Sequence, residues 1–375
     1  MPKQPATTPR PPFRADHVGS LLRPPALAAA RARWRAGEFD ADALRALEDE
    51  AVRDAVQRQQ SIGLRGVTDG EFRRDWWHLD FLGQLDGVTL QAAAGPKFGV
   101  ADGAPEQPPI ATVTGRVGCS RPIMADDFAF LRSVAPPGST LPKMTIPSPS
   151  MLHLRGGRAA ISREVYPDLA PFWDDVAAAY RAAIVHLADA GCRYLQLDDV
   201  AFAYLCDPRV QAACREHGDD PAALPAQYAA AINAALRGRP ADMTVTIHTC
   251  RGNFKSAWVA EGGYDPVVEA MFSTDVDGYF MEFDSERAGG FGPLRALPPD
   301  KRVVLGLVTT KLGALEDADA LKRRIDEAAR IVPLDRLCLS PQCGFSSTHH
   351  GNALSHDDQW RKLERVVEVA ASIWG

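Results

Sequence analysis

In the stretch Thr246–Phe254, TIHTCRGNF, a histidine and a cysteine stand two residues apart directly after an apolar run. Side chains two apart on an extended strand point to the same side. His248 and Cys250 are therefore able to face one point. A second cysteine, Cys343, follows the apolar run in LCLSPQCGF, and Glu282 follows another in GYFMEFDSE, with Asp284 and Glu286 as neighbouring alternatives. One nitrogen, two sulfurs and one oxygen suit a zinc ion in tetrahedral coordination. A structural zinc draws its four ligands from closely spaced pairs, often CxxC. Here the candidates are far apart in sequence, which favours a catalytic ion. Two thiolates lower the effective charge of the ion, and hydrolytic zinc sites rely more on histidine and carboxylate. The donor set thus points to activation of a thiol. The rival pair His349 and His350, in STHHGN, is adjacent in sequence and diverges in extended chain, so it reads as a solvated loop. Cys338, between Leu337 and Leu339, reads as core.

Such residues meet only if a scaffold gathers them. Short apolar runs alternate with amphipathic helices along the chain. Candidate strands cover 14–18, 65–68, 142–146, 193–197, 243–247, 278–281, 302–308 and 336–339. A helix follows the N-cap Asp40, with Leu44, Leu47, Ala51, Val52, Ala55, Val56 and Ile62 at helical spacing and Gly63 as its stop. Others fit 167–190, 221–236, 315–331 and 357–374. Eight strands alternating with helices predict an α/β fold of the (β/α)8 TIM-barrel type. The polar clusters HVGS, TDGEF, PSPS, DD, HTC, EFDSE, TTK and PQCG each follow a strand, at the end where barrels build their active sites. The region 83–137 does not fit one helix. Thr112–Val117 alternates like a β-ribbon after the loop AGPKFGVADGAPEQPP, which predicts an insertion after the second strand. Residues 1–12 read as a flexible proline-rich tail and residues 13–375 as one zinc-binding domain.

Composition narrows the partners. The chain has 375 residues, 46% hydrophobic and 24% charged, enough for a large core. Its net charge of −6 argues against nucleic acid bound by a basic surface, and no polybasic block suggests a membrane partner. No apolar run nears the ~18 residues of a membrane span, and no signal peptide opens the chain. Seven irregularly spaced cysteines and no export signal predict a cytoplasmic protein with reduced thiols. Oligomeric state is not legible in these features.

The stretches RADHVGSLLRP, GVTDGEFRRDWWHLDF, TIPSPSMLH, AGCRYLQLDDV, IHTCRGNF, MEFDSERAG, LGLVTTK and LSPQCGF resemble the cobalamin-independent methionine synthase family, over nearly all the chain from Phe13. The likeness is greatest to short single-barrel bacterial members, which correspond to the C-terminal catalytic domain of the long enzymes. The resemblance implies a zinc held by His248, Cys250, Glu282 and Cys343. It implies methyl transfer to homocysteine, giving methionine, from 5-methyltetrahydrofolate or its polyglutamate. It places the amino-acid end of homocysteine at Val18, Gly19, Ser20, Glu71 and Asp198. An α-ammonium wants carboxylates such as Glu71 and Asp198, and an α-carboxylate wants the N–H groups and hydroxyl of Gly19 and Ser20. Without the resemblance, Glu71 reads as a strand-end acid, and one of Asp198 and Asp199 as a helix cap.

The chain departs from the long enzymes at one place. They tie proton delivery to a histidine after the seventh strand, where this chain has Lys311. A lysine there suits proton delivery to the leaving amine, or an anionic group on another donor. The methyl-donor pocket is assigned to Trp76 and Trp77, whose indoles suit a flat pterin, with His78 beside them, and to Lys143 and Ser148. Arg73, Arg74, Lys143 and Arg251 are candidates for a glutamate tail. Two other functions share these residues. One is alkyl transfer to coenzyme M, which has no ammonium for Glu71 and Asp198 to bind. The other is a non-catalytic barrel with a structural zinc.

Overall fold

The computed structural model describes residues 10–92 and 109–375. Ten strands form among them: β1 (Gly66–Val67), β2 (Asp86–Gln91), β3 (Ile110–Gly118), β4 (Leu141–Pro142), β5 (Met144–Pro147), β6 (Tyr194–Asp199), β7 (Thr244–Thr249), β8 (Gly278–Glu282), β9 (Arg302–Val308) and β10 (Leu337–Pro341). The fold is α/β. Strands β5 to β10 make one six-stranded parallel sheet in chain order, and β1 pairs in parallel with β4. The Lys143 N–H donates to Val67 O at 2.8 Å, which ties β1 to the junction of β4 and β5. At the other edge Ala15 forms a single parallel bridge to Leu339 of β10.

The expected eight-stranded ladder is therefore not continuous among the described residues. The stretch 14–18 makes one bridge instead of a strand. Its own side chain is the reason: the Asp16 carboxylate accepts the N–H groups of Phe13 and His17, at 3.0 and 2.8 Å. Such local bonds compete with a ladder. The second strand shrinks likewise, because the Gln59 side chain takes both the N–H and the C=O of Thr68. The ribbon forms as expected, with β3 antiparallel to β2. Its connecting loop, apart from Pro109, lies outside the described residues, as do residues 1–9 of the expected tail. Pro12, also assigned to that tail, is buried and lies against Gly278.

The sheet is apolar on both faces, as a covered parallel sheet requires. Leu195, Leu197, Val245, Ile247, Met281, Val303 and Leu305 pack with the helices in the main core. The alternate residues face the other way, and there Val18, Phe280, Val304 and Cys338 form a cluster of their own. The helix Ala41–Ser61 starts at Asp40, whose side chain accepts from the Ala43 N–H. The helix Leu169–Asp189 buries Phe172, Val176, Tyr180, Ile184 and Leu187 along one stripe. The helices Leu224–Leu236, Ala318–Ala329 and His356–Trp374 fall where the periodicity predicts them. Pro25–Arg35, Ala125–Val134 and Pro208–Glu216 are further helices outside that set.

Lys143 belongs to this interior and not to a donor pocket. Its Nζ donates to His17 O at 2.6 Å and lies 3.4 Å from Asp16 Oδ1. It also sits 4.1 Å from the Phe280 ring centroid and 4.9 Å from that of Tyr194. Both partners of the ion pair are fully buried, and removing one member of such a pair typically costs about 3–5 kcal/mol. Lys143→Met is expected to lower the unfolding free energy by about 3 kcal/mol or more, measured by guanidinium titration, with metal stoichiometry unchanged. Unaltered stability with a raised KM for the methyl donor would restore Lys143 to the pocket.

Candidate active site

Parallel pairing sets Asp198 of β6 directly beside His248 of β7. Partners in register share a sheet face, and the His248 Nδ1 lies 3.1 Å from Asp198 Oδ1. An ionised carboxylate only accepts, so Nδ1 carries a proton, and Nε2 is the nitrogen that can ligate once it gives up its own. That is how a ligating histidine is commonly oriented by a carboxylate behind it. Gln196, two residues before Asp198 on the same face, donates to the same oxygen at 2.7 Å. Asp199 points elsewhere and caps the helical turn that follows, accepting from the Phe202 N–H at 3.1 Å.

Cys250 follows β7 and Cys343 follows β10, and their Sγ atoms are 3.6 Å apart. The ligand atoms of His248, Cys250 and Cys343 all lie within 4.8 Å of one another, and all three residues are buried. Two sulfurs on a tetrahedral ion with bonds of about 2.3 Å stand about 3.8 Å apart, so the sulfur pair is spaced as a zinc ion would need. The electrostatics favour a cation. The bond shared by the two sulfurs outweighs burial and holds the Cys343 thiol well below its usual range. Burial pulls His248 down, but its bonds to Asp198 and Cys343 win and raise it to about 10. The trio is poised as thiolate and imidazolium, and an entering cation displaces protons.

Glu282 ends β8 on the same side, fully buried, but it is not one of the trio within 4.8 Å. Its Oε2 accepts from the Arg251 N–H at 2.7 Å and its Oε1 from Arg287 at 2.9 Å. Each carboxylate oxygen keeps a second lone pair, so these bonds leave Glu282 able to ligate. Arg287 also holds Asp284 at 2.9 Å. Lys311, which as a bare sequence feature reads as a surface residue opening a helix, is buried. Its Nζ donates to Gly252 O at 2.7 Å and Asn253 Oδ1 at 3.3 Å, close enough to Cys343 and Glu282 to favour their charged forms.

A second polar group gathers around Val18, Gly19 and Ser20. Gly19 has φ +146°, and a Cβ there would lie 2.8 Å from Thr145 Cγ2. At Gly344, beyond Cys343, a Cβ would fall 1.9 Å from Ser20 Oγ, so only glycine lets these loops meet. The Gly19 and Ser20 N–H groups donate to no acceptor among the described residues. Glu71 sits in a left-handed turn at φ +58° and is buried. Its Oε1 accepts from Thr145 Oγ1 at 2.8 Å and lies 3.7 Å from Arg74, while its Oε2 has no partner. Burial raises this carboxyl, Arg74 pulls it back and Asp198 adds to the rise, leaving it at about 7.

The donor-pocket residues divide. Trp76 stacks on Phe254 with centroids 6.1 Å apart, and the His349 and His350 rings meet it edge-on. These histidines thus join an aromatic cluster and not a solvated loop. Trp77 lies against His78, with centroids 4.6 Å apart. The Ser148 hydroxyl is committed to Asp199 and Ser150. None of the candidate tail cations is free: Arg73 pairs with Asp49, Arg74 donates to Thr145 O, and Arg251 donates to Gly262 O and Tyr264. Each is largely buried. Sequence reasoning missed the Asp198–His248 bond, which only the strand register reveals, and it missed Asn253, whose amide spans to Thr310 and Gly344.

Residues 13–371 match the family profile "Cobalamin-independent synthase, Catalytic domain". An uncharacterized Bacillus subtilis protein, YxjH, is 46% identical over 366 residues, covering 97% of this chain and 95% of its own. A 5-methyltetrahydropteroyltriglutamate–homocysteine methyltransferase of Shewanella oneidensis is 24% identical over 337 residues; the match spans 88% of this chain but 40% of that protein. Among solved structures, a candidate vitamin-B12-independent methionine synthase of Listeria monocytogenes superposes with TM-score 0.78 at 40% identity, covering 97% of this chain and 98% of that one.

The Asp198 carboxylate offers a test of the metal reading. Asp198→Asn removes the charge behind His248, and such second-layer changes cost about 10–100-fold in metal affinity. Competition with a chromophoric chelator should show a loss in that range for bound zinc. Equal affinity in the variant and the parent would remove His248 from the ligand set.

Proposed function

The chain belongs to the cobalamin-independent synthase family, matched over its catalytic domain, and on that premise we propose that it is a zinc-dependent methyltransferase that moves a methyl group to the thiol of homocysteine. The observation that carries the reading is the buried trio His248, Cys250 and Cys343, together with Glu71, whose unpartnered Oε2 awaits a cation. We read the strand ends as the rim of a (β/α)8 barrel. The six-stranded sheet, the β1–β4 pair and the Ala15 bridge support eight positions around it.

His248, Cys250 and Cys343 would hold the ion, with Glu282 as the fourth ligand. A bound zinc ion supplies the charge that keeps a thiol ionised near neutral pH. The protein's own groups do the rest. Glu71 accepts the α-ammonium through Oε2, and Gly19 and Ser20 offer N–H groups and a hydroxyl to the α-carboxylate. Asp198 keeps His248 in one tautomer and adds negative potential near the ammonium. Lys311 has one N–H left after Gly252 and Asn253, which suits proton delivery to the amine that leaves the methyl group. Burial of the whole set keeps water from the reacting sulfur. Trp77 and the Trp76 cluster border the donor side.

Glu71 also weighs against coenzyme M as the acceptor, because that thiol brings no ammonium to the unpaired oxygen. A non-catalytic protein with structural zinc remains distinguishable: chelation would then unfold the chain instead of only stopping turnover.

Incubating the zinc-loaded protein with homocysteine and 5-methyltetrahydrofolate, as mono- and triglutamate, is expected to yield methionine by mass spectrometry. Methylation of coenzyme M in preference to homocysteine would overturn the acceptor. Lys311→Ala should keep full zinc and lose turnover at least tenfold; normal turnover would remove its role in proton transfer. A second prediction follows from Glu71. Its raised pKa means it is largely protonated below about pH 7, whereas an ammonium needs the carboxylate. Affinity for methionine, which brings no thiol proton, should therefore rise with pH through 7, by up to about tenfold per unit below it. Calorimetry from pH 6 to 8 should show this slope in the parent and a flat, weak profile in Glu71→Gln. A steep profile in that variant would assign the proton elsewhere.

A further inference from the structure

A thiolate that accepts a hydrogen bond gives less charge to the ion it holds, so the groups around a ligating sulfur tune the metal. The two sulfurs of this site differ in that respect. Ser347 lies four residues beyond Cys343, and its hydroxyl oxygen stands 3.7 Å from the Cys343 Sγ, within hydrogen-bond reach of a sulfur. Among the described residues that hydroxyl has no other hydrogen-bond partner. No side-chain hydroxyl among them bonds to Cys250, whose Sγ meets that of Cys343 at 3.6 Å.

The Ser347 hydroxyl does not hang from a free loop. Residues 347–349 run antiparallel beside 75–77. Thr348 bridges Trp76, the Trp77 N–H donates to Ser347 O at 3.1 Å, and the His349 N–H donates to Asp75 O at 2.8 Å. The facing segment is itself fixed, since the Asp80 carboxylate accepts the N–H groups of Asp75 and Trp76 at 3.1 and 2.8 Å. Arg23 joins the two segments, donating to Thr348 O at 3.0 Å and to Arg74 O at 2.6 Å. The neighbouring serine shows the contrast. Ser346 Oγ donates to Thr348 O and accepts from Arg23, both at 2.8 Å, so it is committed to holding the loop. Ser347 has its backbone held on both sides and its hydroxyl left for the sulfur.

Between two neutral groups either atom could donate. A ligating sulfur is a thiolate and only accepts, so the Ser347 O–H is then the donor, in a bond strengthened by the charge. We propose that Ser347 is a positioning residue for the metal centre: its hydroxyl donates to the ligating sulfur of Cys343, orients that side chain and draws charge from it. The inference rests on the metal reading of His248, Cys250 and Cys343. Its chemical consequence concerns the thiol acceptor. Two thiolates quench much of the charge of a divalent ion. A hydrogen bond on one of them limits that quenching, and so favours ionisation of an incoming thiol.

The test uses the full chain loaded with cobalt(II), whose sulfur-to-metal charge-transfer absorption reports the charge on the ligating sulfurs. Ser347→Ala, which removes the hydroxyl, is compared with Ser347→Thr, which keeps it. Part of the band is expected to move to longer wavelength in Ser347→Ala and to return to the parent position in Ser347→Thr. Competition with a chromophoric chelator should show a loss of about tenfold in zinc affinity for Ser347→Ala, largely restored in Ser347→Thr, with the thermal unfolding of all three metal-free chains alike. A merely structural serine would change unfolding or affinity without a band shift that the threonine reverses. An identical band in Ser347→Ala and the parent, or a shift shared by both variants, overturns the role of Ser347 and leaves the metal site standing. Absence of any charge-transfer band in the parent overturns the metal reading itself, and this inference with it.

Discussion

The pairing of β6 with β7 is the constraint on which the rest of the site depends. It sets Asp198 opposite His248, and every polar residue on that sheet face follows from it by steps of two. A slip of one residue would turn Asp198 and His248 toward the helices and bring Leu197 and Ile247 to the site. The register is held by the apolar alternation itself. Leu195, Leu197, Val245 and Ile247 are buried in the main core and have no polar alternative on that side. The fold's hydrophobic demand thus fixes the orientation of the His248 imidazole. Asp198 in turn must be satisfied within the protein, and Gln196 and His248 both supply it.

A second level of order comes from how the loops are tied. Arg23 donates to Glu71 O, Arg74 O, Ser346 O and Thr348 O, so one guanidinium joins the segment after β1 to the segment after β10. The contact between Gly344 and Ser20 closes the same gap from the other side. These links hold Glu71 in its left-handed turn although a non-glycine residue is strained there. The strain aims a carboxylate into a place where burial and Asp198 oppose its ionisation. Such an arrangement is useful only when a cation comes to relieve it.

The scaffold and the gathering of His248, Cys250 and Cys343 were legible in the sequence because both rest on periodicity. Apolar runs of four to seven residues, each closed by a polar cluster, gave the strands of the main sheet and their functional ends. What stayed hidden were side chains that overrode the backbone pattern. Asp16 and Gln59 took ladder groups at 13–17 and at Thr68, and nothing in their spacing announces it. The cations were also opaque. Lys143, Arg74 and Arg251 stand among polar cluster residues and looked like ligands for an anionic tail. Whether a long side chain runs along a strand into the interior or out into a pocket depends on which carbonyl it reaches.

On the proposed function, charge balance gives the buried Lys311 a place beside the site. A divalent ion held by two thiolates and Glu282 would leave the centre with one negative charge in excess. The Lys311 ammonium is pinned by Gly252 O and Asn253 Oδ1, within reach of both Cys343 and Glu282. It offsets that excess. A neutral imidazole at the same place would supply a proton route but no balancing charge. Glu282 would have Arg287 and the Arg251 N–H to hold its carboxylate whether or not it sat on an ion. Those bonds satisfy the carboxylate at the margin of the trio, so it depends on no ion for its partners.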